Sequence, residues 1–311
     1  MARSTVLTIG DATLDTFLNI HEATVECDVQ KKNCRLCFSY AEKIPIHESI
    51  QSAGGNAINV AVGLAKLGIK TSVRSELGKD NNGKLVIEAL KKAGVDNREL
   101  IINQKNQTRY SVILNFKGER TILSFHPPHH YQPLKLKNNY PWIYYSSLGP
   151  TFETIQVSLI NWLKKNPTTR LVYNPGSYQL KEKINEVKKM LFYTDILIVN
   201  REEAELLAGK NKDIKVLLEK LLKAGPSTVA ITDGPRGACA ATAEEFVTTP
   251  ALPIKPTSTT GAGDAFSSGF LAALILQKNL KTALTWGIKN SSGVIQHFGA
   301  QTGLLNKNQL R

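Results

Sequence analysis

The chain has 311 residues, of which 42 % are hydrophobic, and it carries 39 Lys and Arg against 26 Asp and Glu for a formal charge of +13. This composition supports a buried core, and no apolar run reaches the roughly 20 residues of a membrane span, so we expect a soluble cytoplasmic protein without membrane partners. The basic residues are dispersed in short runs such as KKNCR and WLKKNP, which indicates solvated faces and no specific nucleic-acid site.

Short β-rich apolar runs alternate with amphipathic stretches along the chain, a pattern typical of a parallel sheet covered by helices. Strands are predicted over residues 6–9, 71–75, 142–146, 170–173, 196–199 and 228–231. Helices are predicted over residues 57–67, 82–93, 152–165, 202–208, 214–224, 263–277 and 280–296.

Two segments, residues 20–52 and 108–124, interrupt this alternation with hairpin-like strands, and the second turns at Lys117-Gly118-Glu119. We therefore predict a small β-sheet that flanks the main layer as a lid, with strands from about residues 17–53 and 108–125. The chain shows no internal repeat or low-complexity linker, so residues 1–311 are predicted to form one domain.

Residues 78–85 read GKDNNGKL, which has the glycine and lysine spacing of a phosphate-binding P-loop. A P-loop also needs Ser or Thr after the lysine to bind magnesium, and Leu85 stands there instead. Leu85 and Val86 are expected to begin the core-facing stripe of a helix. The segment is therefore predicted to be a turn into a helix and not a phosphate site.

A better anion site is predicted in PTSTTGAGDAFSSGF, residues 256–270. Gly261 and Gly263, with Ala262 between them, allow the backbone to approach a ligand closely, and an apolar helix follows. Free N–H groups and the positive end of the helix dipole would hold a phosphate there.

Asp264 lies in the first turn of this predicted helix. Two interpretations stay open on the residues alone: a carboxylate that caps the helix, or a general base that takes the proton from a hydroxyl attacking a phosphoryl group. In either case the helix dipole is expected to lower the pKa of Asp264.

The sequence Thr260-Gly261-Ala262-Gly263-Asp264 resembles the C-terminal motif of the ribokinase-like (PfkB) family of carbohydrate and nucleoside kinases. The resemblance implies a three-layer α/β/α sandwich with a mostly parallel central sheet and a small β-sheet lid. It also implies transfer of phosphate from ATP, with Mg²⁺, to a hydroxyl group. Asp264 would then be the general base, and the amides of Gly261 to Gly263 would form the anion hole.

The resemblance continues in the N-terminal part of the chain, where the family binds its acceptor. Two acids follow Gly10 at the end of the first strand, and a Gly-Gly turn opens a helix that carries an asparagine. The implied acceptor-binding residues are Asp11, Asp15, Gly54, Gly55 and Asn59. Gly78, Asp80 and Gly83 match a structural G-x-D-x-x-G turn of the family.

Three further stretches resemble the nucleotide side of the family's site. Asn200-Arg201-Glu202-Glu203 matches the N-x-x-E motif, in which Glu203 would organise Mg²⁺ through its waters; the alternative is a helix cap. Thr232, Gly234 and Gly237 match the nucleotide loop, with an ordinary hairpin as the alternative, and Asn290 falls in the region where the family closes on adenine, with a surface polar residue as the alternative. The resemblance implies that ATP is bound by Asn200, Thr232, Gly234, Gly237 and Asn290. One position departs from the family: Ser258 replaces an aspartate of a monovalent-cation site. K⁺ bound only by main-chain carbonyls stays an open alternative there.

Cys27, Cys34 and Cys37 have the spacing C-x6-C-x2-C, and His21 and His47 flank them. This cluster predicts either a structural Zn²⁺ site or plain thiols, which the expected cytoplasmic location would keep reduced. The loop histidines from His126 to His130 are expected to face solvent or to contact substrate from the lid.

Taken together, the motifs predict an ATP-dependent kinase of a small sugar. The Asn174-Pro175 pair and the stretch Gly118-Glu119-Arg120-Thr121 look more like sugar kinases. The alternatives are a nucleoside kinase of the adenosine type and a catalytically silent member that binds nucleotide or nucleic acid. A homodimer that forms through the lid is the oligomer we consider.

Overall fold

The structure is a computed structural model that describes residues 5–28, 34–127, 130–136 and 138–310. The strands are β1 Val6–Ile9, β2 Thr13–Ile20, β3 Thr24–Cys27, β4 Cys34–Cys37, β5 Ile46–Gly54, β6 Thr71–Arg74, β7 Glu76–Gly78, β8 Ile101–Asn103, β9 Arg109–Phe116, β10 Glu119–Phe125, β11 Trp142–Tyr145, β12 Arg170–Tyr173, β13 Ile196–Asn200, β14 Thr228–Thr232, β15 Ala238–Ala241 and β16 Phe246–Thr249. The helices are α1 Asn56–Lys66, α2 Asn81–Lys92, α3 Glu153–Lys165, α4 Ser177–Glu182, α5 Ile184–Leu191, α6 Arg201–Ala208, α7 Ile214–Lys223, α8 Ala262–Ile275, α9 Leu280–Val294 and α10 Lys307–Leu310.

The central sheet has eight strands in the order β16-β15-β14-β13-β12-β11-β1-β6. The strands from β6 to β14 pair in parallel, while β15 and β16 extend the β14 edge in antiparallel fashion. The predicted mostly parallel sheet is therefore confirmed. The two antiparallel edge strands were not predicted.

Helices cover both faces of this sheet because its strands are apolar on both sides. Leu7 and Ile9 of β1 point into a core that is completed by α3, α5, α6 and α7. Val6 of β1 and Tyr144 of β11 point into the opposite core, which is completed by α1, α8 and α9. The predicted three-layer α/β/α arrangement is confirmed, with α8 buried against the sheet.

A second sheet, which we call the lid sheet, contains four strands in the order β10-β9-β2-β5. Its hairpin β9–β10 turns at Lys117 and Gly118, whose positive φ angles of 51° and 84° form the two-residue turn that suits a twisted hairpin. The prediction of a small sheet from these segments is confirmed. Its strand β2 begins earlier than predicted, at Thr13, and so contains Asp15.

The stretch GKDNNGKL leads into α2, as predicted, with Asp80 as the N-cap. Asp80 accepts hydrogen bonds from Gly83 N at 2.8 Å and from Thr108 N at 2.7 Å, which ties the helix to the start of β9. Val86 is buried as expected, but Leu85 is 44 % exposed, so its predicted core position is wrong.

Among the helices of the described residues, none has both the length and the hydropathy that a transmembrane segment requires.

Candidate active site

The predicted anion site lies at the start of α8, a 14-residue helix packed between α1 and α9. Gly261 is its N-cap and has a left-handed conformation with φ 78°, which favours glycine. A Cβ on Gly261 would also lie 2.6 Å from Cα of Ala300, so a larger residue would not fit. Gly263 meets no described atom within 4 Å of an added Cβ, which leaves open space beside the first turn, whose amides have no partner inside the helix; the Ala262 amide donates to Thr259 O at 3.3 Å.

Asp264 is buried in the first turn of α8 and accepts a hydrogen bond from Nδ2 of Asn59 at 2.8 Å. The pKa of Asp264 is raised to about 7: burial is the largest cause, the hydrogen bond from Asn59 opposes it, and the nearby charges of Asp15 and Glu203 add to it. The predicted lowering by the helix dipole is therefore wrong, because desolvation of the carboxylate outweighs it. The result is a carboxyl group whose pKa suits proton transfer near neutral pH.

The acceptor element predicted around Asp15 lies at the base of the lid sheet. Thr13 Oγ1 donates a hydrogen bond to Oδ1 of Asp15 at 2.6 Å, while burial raises the pKa of this carboxyl. A Cβ on Gly54 would overlap Oδ2 of Asp15, and a Cβ on Gly55, whose φ is 92°, would overlap the carbonyl oxygen of Asp11. The Gly-Gly turn thus provides space for the Asp15 carboxylate and for the backbone of Asp11, and α1 follows it with Asn59 on its buried face.

Asp11, the other predicted acceptor ligand, is held by protein groups. It pairs with Arg109, accepts from Oη of Tyr131 at 2.7 Å and accepts from N of Gly149 at 3.0 Å. Arg109 itself is only 2 % exposed and also donates to Oη of Tyr131 at 2.7 Å. Asp11 therefore fixes the first residue of β9 beside the site. Sequence reasoning missed Arg109, although an arginine that opens an apolar lid strand signals a buried counter-ion.

The N-x-x-E stretch forms a capping box at the start of α6. Oδ1 of Asn200 accepts from Glu203 N at 2.9 Å, and Oε2 of Glu203 accepts from Asn200 N at 2.9 Å. The helix-cap interpretation is thus correct in geometry. The capping box also holds Glu203 close enough to Asp264 for the charge of Glu203 to raise the pKa of Asp264. Burial raises the pKa of Glu203 as well.

A groove of about 610 Å³ begins at the α8 entrance, where Thr259 and Ala262 line it. The loop of residues 251–256 forms one wall, Gly234 and Pro235 lie at its edge, and Ile288 and Ser292 of α9 contribute from the other side. Most of the groove lining is apolar, which suits the flat ring of a nucleotide base whose phosphates would lie at the start of α8.

The other predicted nucleotide residues shape this region without lining the groove. Gly237, with φ 92°, closes the turn between β14 and β15, and Thr232 is the last residue of β14. Asn290 is fully buried: its Nδ2 donates to Ala265 O at 2.9 Å and to Ser268 Oγ at 3.0 Å, and its Oδ1 accepts from Leu305 N at 2.9 Å. The prediction that Asn290 faces adenine is wrong, because the amide is used to join α8, α9 and the C-terminal segment.

The lid sheet reaches the α8 entrance through Arg120 of β10. Its Nη1 donates to Oγ1 of Thr259 at 2.7 Å and lies 3.4 Å from Oγ1 of Thr260. A cation from the lid is thus placed next to the predicted anion hole. Sequence reasoning noted the residue but not this contact, which depends on the hairpin folding over the site.

Comparison with known proteins identifies the family of the chain. Residues 21–307 match the model of the pfkB family carbohydrate kinases. The chain belongs to the pfkB family of carbohydrate kinases. As a PfkB protein it is a phosphotransferase that acts on an alcohol group.

Named relatives of this PfkB kinase have diverged sequences but match it over most of its length. The ATP-dependent 6-phosphofructokinase of Thermoanaerobacterium thermosaccharolyticum is 26 % identical over 95 % of this chain and 89 % of its own. The structure of Arabidopsis thaliana ribokinase complexed with ribose and ATP superposes with a TM-score of 0.79 over 100 % of this chain and 98 % of that one, at 21 % sequence identity. An E. coli protein solved in complex with ATP and Mg²⁺ is 17 % identical, with a TM-score of 0.78 over 99 % and 98 % of the two chains.

The cysteine cluster of this PfkB kinase is not a zinc site. Cys27 and Cys34 face each other across the β3–β4 hairpin and form a disulfide, so two of the three predicted thiolate ligands are used. Cys37 is a free, half-buried thiol. Within the described residues, no group of three or more His, Cys, Asp or Glu has the arrangement of a metal site. The predictions of zinc and of reduced thiols at this pair are therefore wrong.

The remaining sequence expectations concern Ser258 and the loop histidines. Ser258 is buried, and its Oγ lies 3.3 Å from both Oγ1 and N of Thr260, so it stabilises the turn before α8. His126 and His130 are exposed, as expected, while Pro128 and His129 lie outside the described residues.

Proposed function

We propose that this chain transfers the γ-phosphoryl group of ATP to a hydroxyl group of a small sugar, with Asp264 as the general base. The observation that carries the proposal is the position of Asp264: it is buried at the α8 entrance, beside open space at Gly263 and within hydrogen-bond contact of Asn59. A pKa of about 7 allows it to accept a proton at neutral pH as the hydroxyl attacks.

The first turn of α8 supplies the anion hole in this proposal. The amides from Gly261 to Gly263 have no partner inside the helix, and the positive end of the helix dipole adds to their field. Fixed donors stabilise the charge that grows on the transferred phosphoryl group without having to reorganise. Arg120 adds a cation from the lid sheet, and the lid excludes water that would otherwise hydrolyse ATP.

Glu203 fits a role toward Mg²⁺, since carboxylate oxygens suit this ion and the capping box orients the side chain. Mg²⁺, when bound, neutralises charge on the ATP phosphates. The side chain of Glu203 would hold it through water, because Oε2 already accepts from Asn200 N. Asn200 would orient Glu203, while Thr232, Gly234 and Gly237 would shape the nucleotide loop.

The acceptor would lie between the lid sheet and α1. Asp15 and Asn59 would bind its hydroxyl groups; Gly54 would leave space for the Asp15 carboxylate, and Gly55 would let the turn pass close to the backbone of Asp11. Asp11 would act indirectly, since its carboxylate holds Arg109 and Tyr131 in place.

The proposal is tested by measuring ADP release with D-ribose, D-fructose, D-fructose 6-phosphate and adenosine as acceptors. Sugar kinase activity predicts release with at least one sugar, while release with adenosine alone would identify a nucleoside kinase. Asp264→Asn should lower turnover by a factor of at least about 10³ with nucleotide binding retained. Near-normal turnover of that variant would refute the role of Asp264.

We further propose that two chains associate through the lid sheet. Its outer strand β10 exposes Ile122, Leu123 and Phe125, which are 46 %, 56 % and 47 % exposed. Apolar side chains on an edge strand favour association. Light scattering of the wild type and of Leu123→Lys would decide this: a monomer in both would contradict it.

A further inference from the structure

Gln301 lies in the loop between α9 and α10, and its side-chain amide contacts two elements of the candidate active site. Nε2 of Gln301 donates to the backbone oxygen of Ala53 at 2.6 Å and to Oδ1 of Asn59 at 3.0 Å. Ala53 belongs to the lid strand β5, and Asn59 belongs to α1. The motifs in the sequence gave no role to this glutamine.

The contact with Ala53 determines which way both amides point. A backbone carbonyl oxygen can only accept a hydrogen bond, so the NH₂ group of Gln301 must face it. The second hydrogen of that NH₂ group meets Asn59, and the atom of Asn59 that receives it must be Oδ1. The NH₂ group of Asn59 is then turned toward Asp264, to which it donates at 2.8 Å.

The segment that carries Gln301 is fixed on both sides. Ala300 packs so closely against Gly261 that no Cβ fits between them. On the other side, Leu305 N donates to Oδ1 of the buried Asn290 at 2.9 Å, and Leu304 lies in a small core with Ala265. The amide of Gln301 is therefore held at a constant place relative to the start of α8.

We propose that Gln301 is a positioning residue, which fixes the amide of Asn59 so that its NH₂ group always stabilises the carboxylate of Asp264. This inference rests on the proposed role of Asp264 as the general base. Without Gln301, the Asn59 amide can rotate and present Oδ1 to Asp264. Two oxygens then face each other, which favours the protonated acid, a form that cannot accept the proton of the acceptor hydroxyl.

The other groups around Asp264 do not replace this hydrogen bond. Asp15 from β2 and Glu203 from α6 are acids whose charges disfavour ionisation of Asp264. Tyr144 from β11 is close enough to interact electrostatically with Asp264, but burial raises the pKa of its hydroxyl well above the usual range, so it stays neutral. Asn59 is the neighbour that favours the charged carboxylate, which makes the direction of its amide important.

Two substitutions of Gln301 distinguish the effect of reversing the Asn59 amide from the effect of losing the hydrogen bond between Gln301 and Asn59. Gln301→Met has a similar length and no polar hydrogen, so it releases the Asn59 amide. Gln301→Glu can only accept while ionised, so it should attract the Asn59 NH₂ group and turn Oδ1 toward Asp264. The control is Gln156→Met, which also removes a glutamine amide that donates to a backbone oxygen: Gln156 is buried whereas Gln301 is half-buried, and Nε2 of Gln156 donates to Glu186 O at 2.9 Å between α3 and α5, on the opposite face of the sheet.

Turnover is measured with the acceptor that gives the fastest ADP release among D-ribose, D-fructose and D-fructose 6-phosphate. We expect kcat near pH 7 to fall about tenfold in Gln301→Met and further in Gln301→Glu, since a hydrogen bond to a charged group is lost and then reversed. The KM for ATP should not change. In the pH dependence of kcat, the midpoint of the acid limb should move up by about one pH unit.

In a chain that already carries Asn59→Ala, adding Gln301→Met should lower kcat little further.

A second readout needs no acceptor. Because the pKa of Asp264 is raised in the folded state, stability is lost as pH rises from the ordinary Asp range through about 7. A higher pKa in Gln301→Met should make the fall in Tm between about pH 6 and pH 8 larger than in Gln156→Met.

The outcomes distinguish this inference from the proposed function. If Asp264→Asn keeps normal turnover, the role of Asp264 itself fails. If Asp264→Asn is inactive while both Gln301 variants match Gln156→Met in kcat, pH profile and Tm, the positioning role is overturned and the proposed function stands.

Discussion

Gly54 and Asp15 are so close that a Cβ on Gly54 would overlap Oδ2 of the carboxylate. The antiparallel pairing of β2 with β5 brings them together, with Thr13 opposite Gly54 in register. Gly54 is thus required for two reasons: it belongs to a turn, and any side chain there would occupy the place of the Asp15 carboxylate on the neighbouring strand.

Gly54→Ala should displace the carboxylate of Asp15 and weaken acceptor binding. We expect the KM for the acceptor to rise at least about tenfold, because a charged hydrogen-bond acceptor is misplaced, while the KM for ATP stays the same. Steady-state kinetics with each substrate varied in turn measures both values. A variant with both KM values unchanged would show that Asp15 does not contact the acceptor.

The pH dependence of stability should report the burial of Asp264. Its pKa is raised in the folded state to about 7 from an ordinary value of 3.8, so the folded chain binds a proton more tightly than the unfolded chain. This stabilisation is fully present below the ordinary value and is lost as pH rises through about 7. The shift corresponds to a free energy on the order of 4 kcal/mol.

Asp264→Asn replaces the acid with a neutral amide and should remove this pH dependence. We expect the wild type to lose more stability than Asp264→Asn between about pH 5 and pH 8, as measured by urea unfolding. Parallel curves for the two proteins would mean that the pKa of Asp264 is not raised. In the wild type, kcat should increase with pH through about 7, since the base must be ionised.

Arg120 should matter for the chemical step and much less for folding. Arg120→Gln removes the cation beside Thr259, and we expect kcat to fall between about tenfold and 10³-fold with little change in Tm. Arg98→Gln is a matched control, because Arg98 is an exposed arginine that pairs with Asp96 away from α8. Equal kcat values for the two variants would contradict a role for Arg120.

Asn290→Ala tests the structural role that the fold gives to this residue. Its amide joins α8, α9 and the segment at Leu305, so we expect a loss of about 2–4 kcal/mol in the free energy of unfolding from unsatisfied buried groups. The KM for ATP of the folded fraction should stay close to the wild-type value. A large rise in that KM without destabilisation would restore the interpretation that Asn290 binds adenine.

The parts of the fold that follow from local patterns were predicted from the sequence. The parallel strands and covering helices have clear periodicity, and the glycines around Asp264 mark the start of α8. The edge strand β16 was missed because it alternates exposed and half-buried residues, a weak apolar signal, and β15 was missed because its sequence ACAA, although buried, is mostly alanine, which is depleted in strands.

The errors at the site concern contacts between residues far apart in the chain. The predictions for Asn290 and Asp264 considered only the helix that carries each residue. Packing against other elements instead determines the hydrogen bonds of Asn290 and the pKa of Asp264. Likewise, Gln301 and Asn59 are 242 positions apart, so no spacing in the sequence indicates their hydrogen bond.

The disulfide between Cys27 and Cys34 gives a test of the corrected cysteine chemistry. Alkylation of the unfolded, unreduced chain should label two cysteines, Cys37 and Cys239, and prior reduction should raise the number to four. Zinc content should stay below about a tenth of an equivalent in protein purified without a histidine tag. Four labels before reduction, together with zinc near one equivalent, would restore the metal site.

Loss of this bridge should have a local effect, because β3 is exposed along its whole length and pairs with β4 in a separate two-stranded sheet. We expect Cys27→Ser combined with Cys34→Ser to change Tm by less than about 3 °C, since the hairpin can open without unfolding the central sheet. Calorimetry of the double variant and of the reduced wild type measures this. A much larger decrease would show that the hairpin supports the lid sheet, and the acceptor site at its base would then depend on the bridge.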